Sequence, residues 1–148
     1  MQTSEETLWL TPLQHSWYHW EIGGGCQAAP PGAMNSLCWN CRGIGNPRTV
    51  FALRDYVRRW NPRIVFLSET KSKNRRMEKV KFNLGFTNGL YVPSRGRSGG
   101  LALLWSSDTN LEIKSYSNHH IDAIITEADN GLSWRFIGFY GYPETHLR

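Results

Sequence analysis

Three polar residues in this chain each stand at or just beyond the end of a short apolar run. Asn40 closes the run 34–40, Glu69 follows Ile64 to Leu67, and Tyr140 closes the run 132–140. In an α/β sheet the carboxyl ends of the strands are where ligand-binding side chains collect. A carboxylate at such a place, two residues before Lys71 and at the head of the basic stretch Lys71 to Lys81, suits a divalent cation held against a phosphate. Mg²⁺ commonly takes one or two protein carboxylates and fills its other positions with water and substrate oxygens. Lys71, Lys73, Arg75 and Arg76 are then the candidate phosphate contacts. A strand-end glutamate is also a common solvated or ion-paired residue, and spacing alone leaves both readings open.

Other signals point to structure more than to chemistry. Cys38 and Cys41 have the spacing of half a zinc knuckle, but a zinc site needs two further ligands and no second pair exists. Cys38 lies inside a strand pattern, which favours burial as a small apolar residue. Gly96 and Gly99-Gly100 lack the Lys-Ser/Thr that a phosphate-cradling P-loop requires, so a turn needing positive φ explains them better. Trp60 and Trp105 read as core by spacing. His119, His120, Asp108 and Asp122 fall in strand or turn positions and are expected to be structural.

The elements that must position the candidate residues are regular from about Met34 onward. The apolar run to Asn40 reads as a buried strand. Asn46-Pro47 supplies a helix cap and a proline at the first helical position. Val50, Leu53, Val57 and Trp60 then recur at spacings of three and four, and Asn61-Pro62 ends the helix. Ile64 to Leu67 is a second strand, so the order is β-α-β with parallel pairing expected. A loop leading into a short helix is expected over Lys71 to Lys81. Strands are expected at Leu90 to Val92, Leu101 to Trp105, Leu111 to Tyr116, Ile121 to Glu127 and Leu132 to Tyr140, with a hairpin at Asp129-Asn130-Gly131.

Composition is compatible with one packed domain. The chain has 148 residues, 40% hydrophobic and 20% charged, which excludes wholesale disorder. No apolar run approaches the ~18 residues of a membrane span, and residues 1–33 have neither a basic start nor an apolar block typical of a secretory signal. That stretch strings Trp9, Trp17, Tyr18 and Trp20 together without a clean period and runs through Gly23-Gly24-Gly25 into Pro30-Pro31-Gly32. It is expected to be a leader or linker without fixed structure. Three cysteines, an odd number, do not make a disulfide scaffold, so an intracellular location is the default. The net charge of +5 is unevenly spread: residues 42–97 carry 14 of the 17 basic residues against Asp55, Glu69 and Glu78, a net +11. Such a segment suits a polyanionic partner, or it is a solvated basic helix face.

Trp39-Asn40-Cys41-Arg42-Gly43, the proline-started helix, and Asn61-Pro62-Arg63-Ile64-Val65-Phe66-Leu67-Ser68-Glu69-Thr70-Lys71 resemble the opening of the endonuclease/exonuclease/phosphatase superfamily. More narrowly, they resemble the endonuclease domain of plant LINE-type (non-LTR) retrotransposons. Arg97-Ser98-Gly99-Gly100-Leu101-Ala102-Leu103-Leu104-Trp105 and Gly138-Phe139-Tyr140-Gly141-Tyr142-Pro143 are similar to the next two blocks of that family. The resemblance covers residues 34–148. It implies a four-layer αββα sandwich of which the first half is present, and Mg²⁺- or Mn²⁺-dependent hydrolysis of DNA phosphodiesters in the nucleus. It also implies roles: Asn40 orients the site, Glu69 binds the metal, Lys71 lies near the phosphates and Tyr140 contacts the scissile phosphate. The family's later Asp-x-Asn, Asp and Asp-His motifs lie beyond Arg148. The expected activity is therefore impaired, since groups acting as a unit cost several powers of ten when lost. The alternatives are a non-catalytic remnant that binds a DNA or RNA backbone, a retroelement fragment without function, and a phosphatase acting on a small substrate. No membrane and no small-molecule cofactor is expected.

Overall fold

A computed structural model describes residues 8–12, 18–20, 36–128 and 131–140. They form strands β1 (Leu8–Pro12), β2 (Tyr18–Trp20) and β3 (Ser36–Asn40), helix α1 (Pro47–Trp60), strand β4 (Ile64–Ser68) and helix α2 (Asn74–Leu84). Five strands follow: β5 (Asn88–Val92), β6 (Leu101–Trp105), β7 (Asn110–Tyr116), β8 (His120–Thr126) and β9 (Ser133–Phe139). The chain is mixed α/β.

The β-α-β unit forms as its sequence signals require. The Asn46 side chain accepts from Arg48 N at 3.0 Å, Pro47 opens α1, and Asn61 closes it in the left-handed region with φ 44°. Arg58 and Arg59 lie in the last turn of α1, where cations suit the helix dipole. β3 and β4 pair in parallel, Ser36 beside Ile64 through to Asn40 beside Ser68. β6 then inserts between β4 and β5, antiparallel to both, to give the order β3-β4-β6-β5.

The second sheet is antiparallel, in the order β2-β1-β9-β8-β7. Two short stretches of the leader are therefore strands, with β1 paired along β9 from Leu10–Phe136 to Pro12–Trp134. An unpaired β9 would present a row of open backbone donors and acceptors, and β1 covers part of it. The rest of residues 1–33 lies outside the described residues, as do Asp129 and Asn130 of the expected hairpin. Around that hairpin Glu127 N donates to Leu132 O at 2.8 Å, and Gly131 has φ 67°.

Alternation along the strands divides the core in two. Val65, Leu67, Ala102 and Leu104 face the helices and pack with Leu53, Met77 and Val80. Cys38, Ile64, Phe66, Leu101 and Leu103 face the second sheet, against Ile121, Ala123, Ile125 and Phe136. The layers are thus helix, sheet, sheet, and among the described residues no helix covers the outer face of the second sheet. The sheets meet at the Phe66–Phe136 edge-to-face pair, with ring centroids 5.7 Å apart. At Gly138 β9 approaches the first sheet so closely that a Cβ there would run into the Phe66 ring. Trp60 and Trp105, expected in the core, are only half-buried; each is the last residue of its element, where neighbours are fewer. No helix among the described residues is long and apolar enough to cross a membrane.

Candidate active site

The carboxyl ends of β3, β4 and β9 lie at one end of the double sheet, and the loops that follow are tied together by backbone hydrogen bonds. Cys41 N donates to Ser68 O (3.0 Å), Gly43 N to Glu69 O (2.7 Å) and Ile44 N to Thr70 O (2.9 Å). On the other side Thr70 N and Lys71 N donate to Gly100 O and Gly99 O, at 3.1 and 3.0 Å. The segment 69–71 is therefore clamped between the loop after β3 and the glycine turn before β6. Clamping holds it in an uncommon conformation: Glu69 has φ 51° and Lys71 φ 48°, both in the left-handed region that disfavours side-chain-bearing residues. Gly100, at φ 92°, has no room for a Cβ because Thr70 Oγ1 occupies that space. This close approach accounts for the glycine-rich turn without a phosphate cradle.

Two of the expected residues, Tyr140 and Glu69, meet here, with Asn40 and Lys71 on the adjoining loops. Tyr140, only 5% exposed, donates its hydroxyl proton to Glu69 Oε1 at 2.7 Å. Its own backbone N–H donates to His119 O at 2.7 Å. Asn40 sits beside Ser68 in the parallel register, and its Oδ1 accepts from Arg42 N at 3.2 Å, an Asx turn that starts the loop. Lys71 is exposed, and its aliphatic stem runs past Gly43. The site is thus a half-buried carboxylate oriented by a buried phenol, with an ammonium group two residues away.

Lys73, Arg75 and Arg76 take a different position. Lys73 is the N-cap of α2 without a capping side-chain hydrogen bond, and the first turn holds Arg75 and Arg76 and no acidic residue. Cations are unfavourable at a helix N-terminus. Uncapped N–H groups and three cations together make a place where an anion is bound well. Arg76 leans onto the loop after β3, with Nη1 2.5 Å from where a Cβ on Gly45 would be.

One cationic neighbour at this end escaped the sequence reading. Ser94 N donates to Ser72 O at 3.2 Å, which brings Arg95 of the glycine turn beside the loop of Lys71. With the Asn118 amide turned so that its oxygen faces the guanidinium, Oδ1 accepts from Arg95 Nη2 and Nε at 2.8 and 3.1 Å. The signal was present as the antiparallel run of β6 back from Gly100, but it needs the strand order to be read. His119, expected to be structural, meets the site through its backbone carbonyl, which accepts from Tyr140 N. His120 is held by Ser117 Oγ and Ser115 Oγ at 2.7 and 3.0 Å. Asp122 is paired with Arg135 on the outer face of the second sheet, whose two hydrogen bonds (2.8 and 3.1 Å) hold its carboxyl below the usual range. Asp108 lies in the turn after β6, whose last residue pairs with Ile64 at the far end of β4.

Cys38 and Cys41 are both buried, on opposite sides of the first sheet. Burial pushes the Cys41 thiol up to about 11, so it stays protonated and donates to Ser68 O at 3.2 Å. Among the described residues no three His, Cys, Asp or Glu side chains converge. The donors at the site, the Glu69 carboxylate and the Asn40 amide oxygen, are hard oxygens. They fit a water-rich Mg²⁺ or Mn²⁺ taking one carboxylate from the protein, and they do not fit a soft or tightly caged metal. No family model and no curated protein matches this chain.

Proposed function

We propose that this chain acts on nucleic-acid phosphodiesters, with Glu69 as the metal-binding carboxylate of a hydrolytic site of the endonuclease/exonuclease/phosphatase type. The observation that carries the reading is the 2.7 Å hydrogen bond from buried Tyr140 to Glu69, across two sheets and 71 residues of chain. A metal bound at Glu69 supplies charge stabilisation to the phosphate as negative charge builds on it. Tyr140 fixes one carboxylate oxygen and leaves Oε2 for another partner. Asn40 shapes the loop that hydrogen-bonds the backbone of Glu69 and Thr70. Lys71 presents a cation to the substrate phosphates, and Lys73, Arg75 and Arg76 continue that charge along the start of α2. The order helix, sheet, sheet matches three consecutive layers of an αββα sandwich, which supports the fold that the four sequence blocks suggest. Descent from a plant LINE-type retroelement and a nuclear site of action belong to the same proposal.

The test is nicking of supercoiled plasmid by the full chain, with Mg²⁺, with Mn²⁺ and with EDTA. Metal-dependent nicking that is lost in Glu69→Gln supports hydrolysis. Nicking that survives that substitution, or a folded protein without any, overturns it.

A second reading is non-catalytic binding of a DNA or RNA backbone. It is favoured by the uncapped N-terminus of α2 with its three cations, a costly arrangement without an anion. It predicts affinity that falls steeply with salt and no cleavage.

A further inference from the structure

Beside the site, α1 and α2 leave a groove of about 380 Å³ between them, within the size range of small-molecule sites. Val50 and Val80 are in its floor, Phe51 and Arg54 form the α1 wall, and Arg76 and Lys79 form the α2 wall. Among the described residues no carboxylate lines it. Phe51 is 74% exposed, an uncommon place for a large aromatic ring on a helix whose apolar face is already buried through Leu53. Cations without counter-charges around an accessible aromatic ring are the two components of single-strand binding: the backbone follows the charge and a base stacks on the ring.

The groove borders the loop after β3. Arg76 lines it, and its guanidinium lies on Gly45 of that loop, whose Gly43 N donates to the backbone carbonyl of Glu69. Lys71 runs along the same loop at Gly43. Lys71 and Arg76 therefore lie along one loop, Lys71 at Gly43 and Arg76 at Gly45 beside the groove.

We propose that this groove holds an unpaired stretch of nucleic acid flanking the phosphate at Glu69. One base stacks on Phe51, and Arg54, Arg76 and Lys79 contact the backbone. The inference rests on a nucleic acid being the substrate of that site. An acidic amphipathic peptide would also satisfy an apolar floor with basic walls. The placing of Lys71 and Arg76 along one loop favours a polyanion that extends from the groove towards Glu69.

The experiment measures binding of the full chain to fluorescein-labelled (dT)₁₂ and to a 12-base-pair duplex, in EDTA, between 50 and 200 mM NaCl. Phe51→Ala is expected to weaken (dT)₁₂ binding about tenfold, the worth of one base stacked on an aromatic ring. Duplex affinity should stay within about twofold, and Phe51→Trp should restore the single-strand affinity. The pair Arg54→Gln/Lys79→Gln is expected to lower the salt slope for (dT)₁₂ by roughly 1.4. Unchanged (dT)₁₂ affinity and slope in these variants overturns the proposal, as does a wild type that does not bind (dT)₁₂. Tighter, Phe51-dependent binding of a Glu/Leu amphipathic helical peptide also overturns it. Because binding is read without metal, its failure is separable from that of the hydrolytic reading, which only the Glu69→Gln nicking experiment decides.

Discussion

The Tyr140 hydroxyl donates to Glu69 Oε1 at 2.7 Å, joining the end of β9 in one sheet to the end of β4 in the other. Both partners are held before they meet, Tyr140 by burial and its bond to His119 O, and Glu69 by the clamp on its segment. A hydrogen bond to a carboxylate between two prepositioned groups loses little entropy on forming. Tyr140→Phe keeps the ring in its pocket and removes this bond. It is expected to lower stability by about 1–2 kcal/mol in urea unfolding. In the hydrolytic reading it also reduces nicking, because the carboxylate loses its orientation. A variant with wild-type stability and wild-type nicking would show that the bond has no role.

Gly138 leaves β9 room to pack directly on the Phe66 ring of the other sheet. Gly138→Ala places a methyl into the Phe66 ring, which is itself packed edge-to-face on Phe136. Overpacking of this kind costs about 1–3 kcal/mol. The expected outcome is a lower urea midpoint with an unchanged slope, partly restored by combining it with Phe66→Leu. Additive loss in the double variant would mean that the clash is relieved elsewhere.

These two contacts mark the limit of what local patterning conveys. Asn46-Pro47 and Asn61-Pro62 bracket α1 as Pro47–Trp60, because caps and breakers act within a few residues. The apolar runs became strands within two residues of their expected ends, and the ends of β3, β4 and β9 carry Asn40, Glu69 and Tyr140. Partnering was not legible. β6 enters between β4 and β5, antiparallel to both, and that choice is settled by side chains meeting across the sheet. The proximity of Arg95 to Lys71 depends on it. The strands β1 and β2 were hidden for a related reason: their stretch has no clean period, and pairing with the β9 edge is a tertiary event.

The pair Asp122–Arg135 makes stability depend on pH in a defined direction. Hydrogen bonds from Arg135, aided by the charges of Arg135, His120 and Lys114, hold the Asp122 carboxyl below its ordinary value of 3.8. A carboxyl lowered in the folded state contributes stability that is complete above its unfolded value and lost as pH falls through the folded one. Arg135→Gln is therefore expected to unfold at lower temperature than wild type at pH 6–7. The gap between the two melting temperatures should close below about pH 4. A gap that stays constant from pH 7 to pH 3 would remove the ion pair as its cause.

Lys71 sets stability against binding most directly. Its φ of 48° is a conformation that costs a side-chain-bearing residue about 1–2 kcal/mol and glycine almost nothing. Lys71→Gly removes that strain, although glycine adds freedom to the unfolded chain, so the net expectation is a gain of up to about 1 kcal/mol. The same substitution deletes the cation beside Glu69, and it should lower the salt slope of duplex binding by roughly 0.9 while weakening affinity. A more stable protein that binds less well is the signature of a strained residue kept for its charge. Reduced stability with unchanged binding would instead make Lys71 a structural residue of the loop, its stem packed past Gly43.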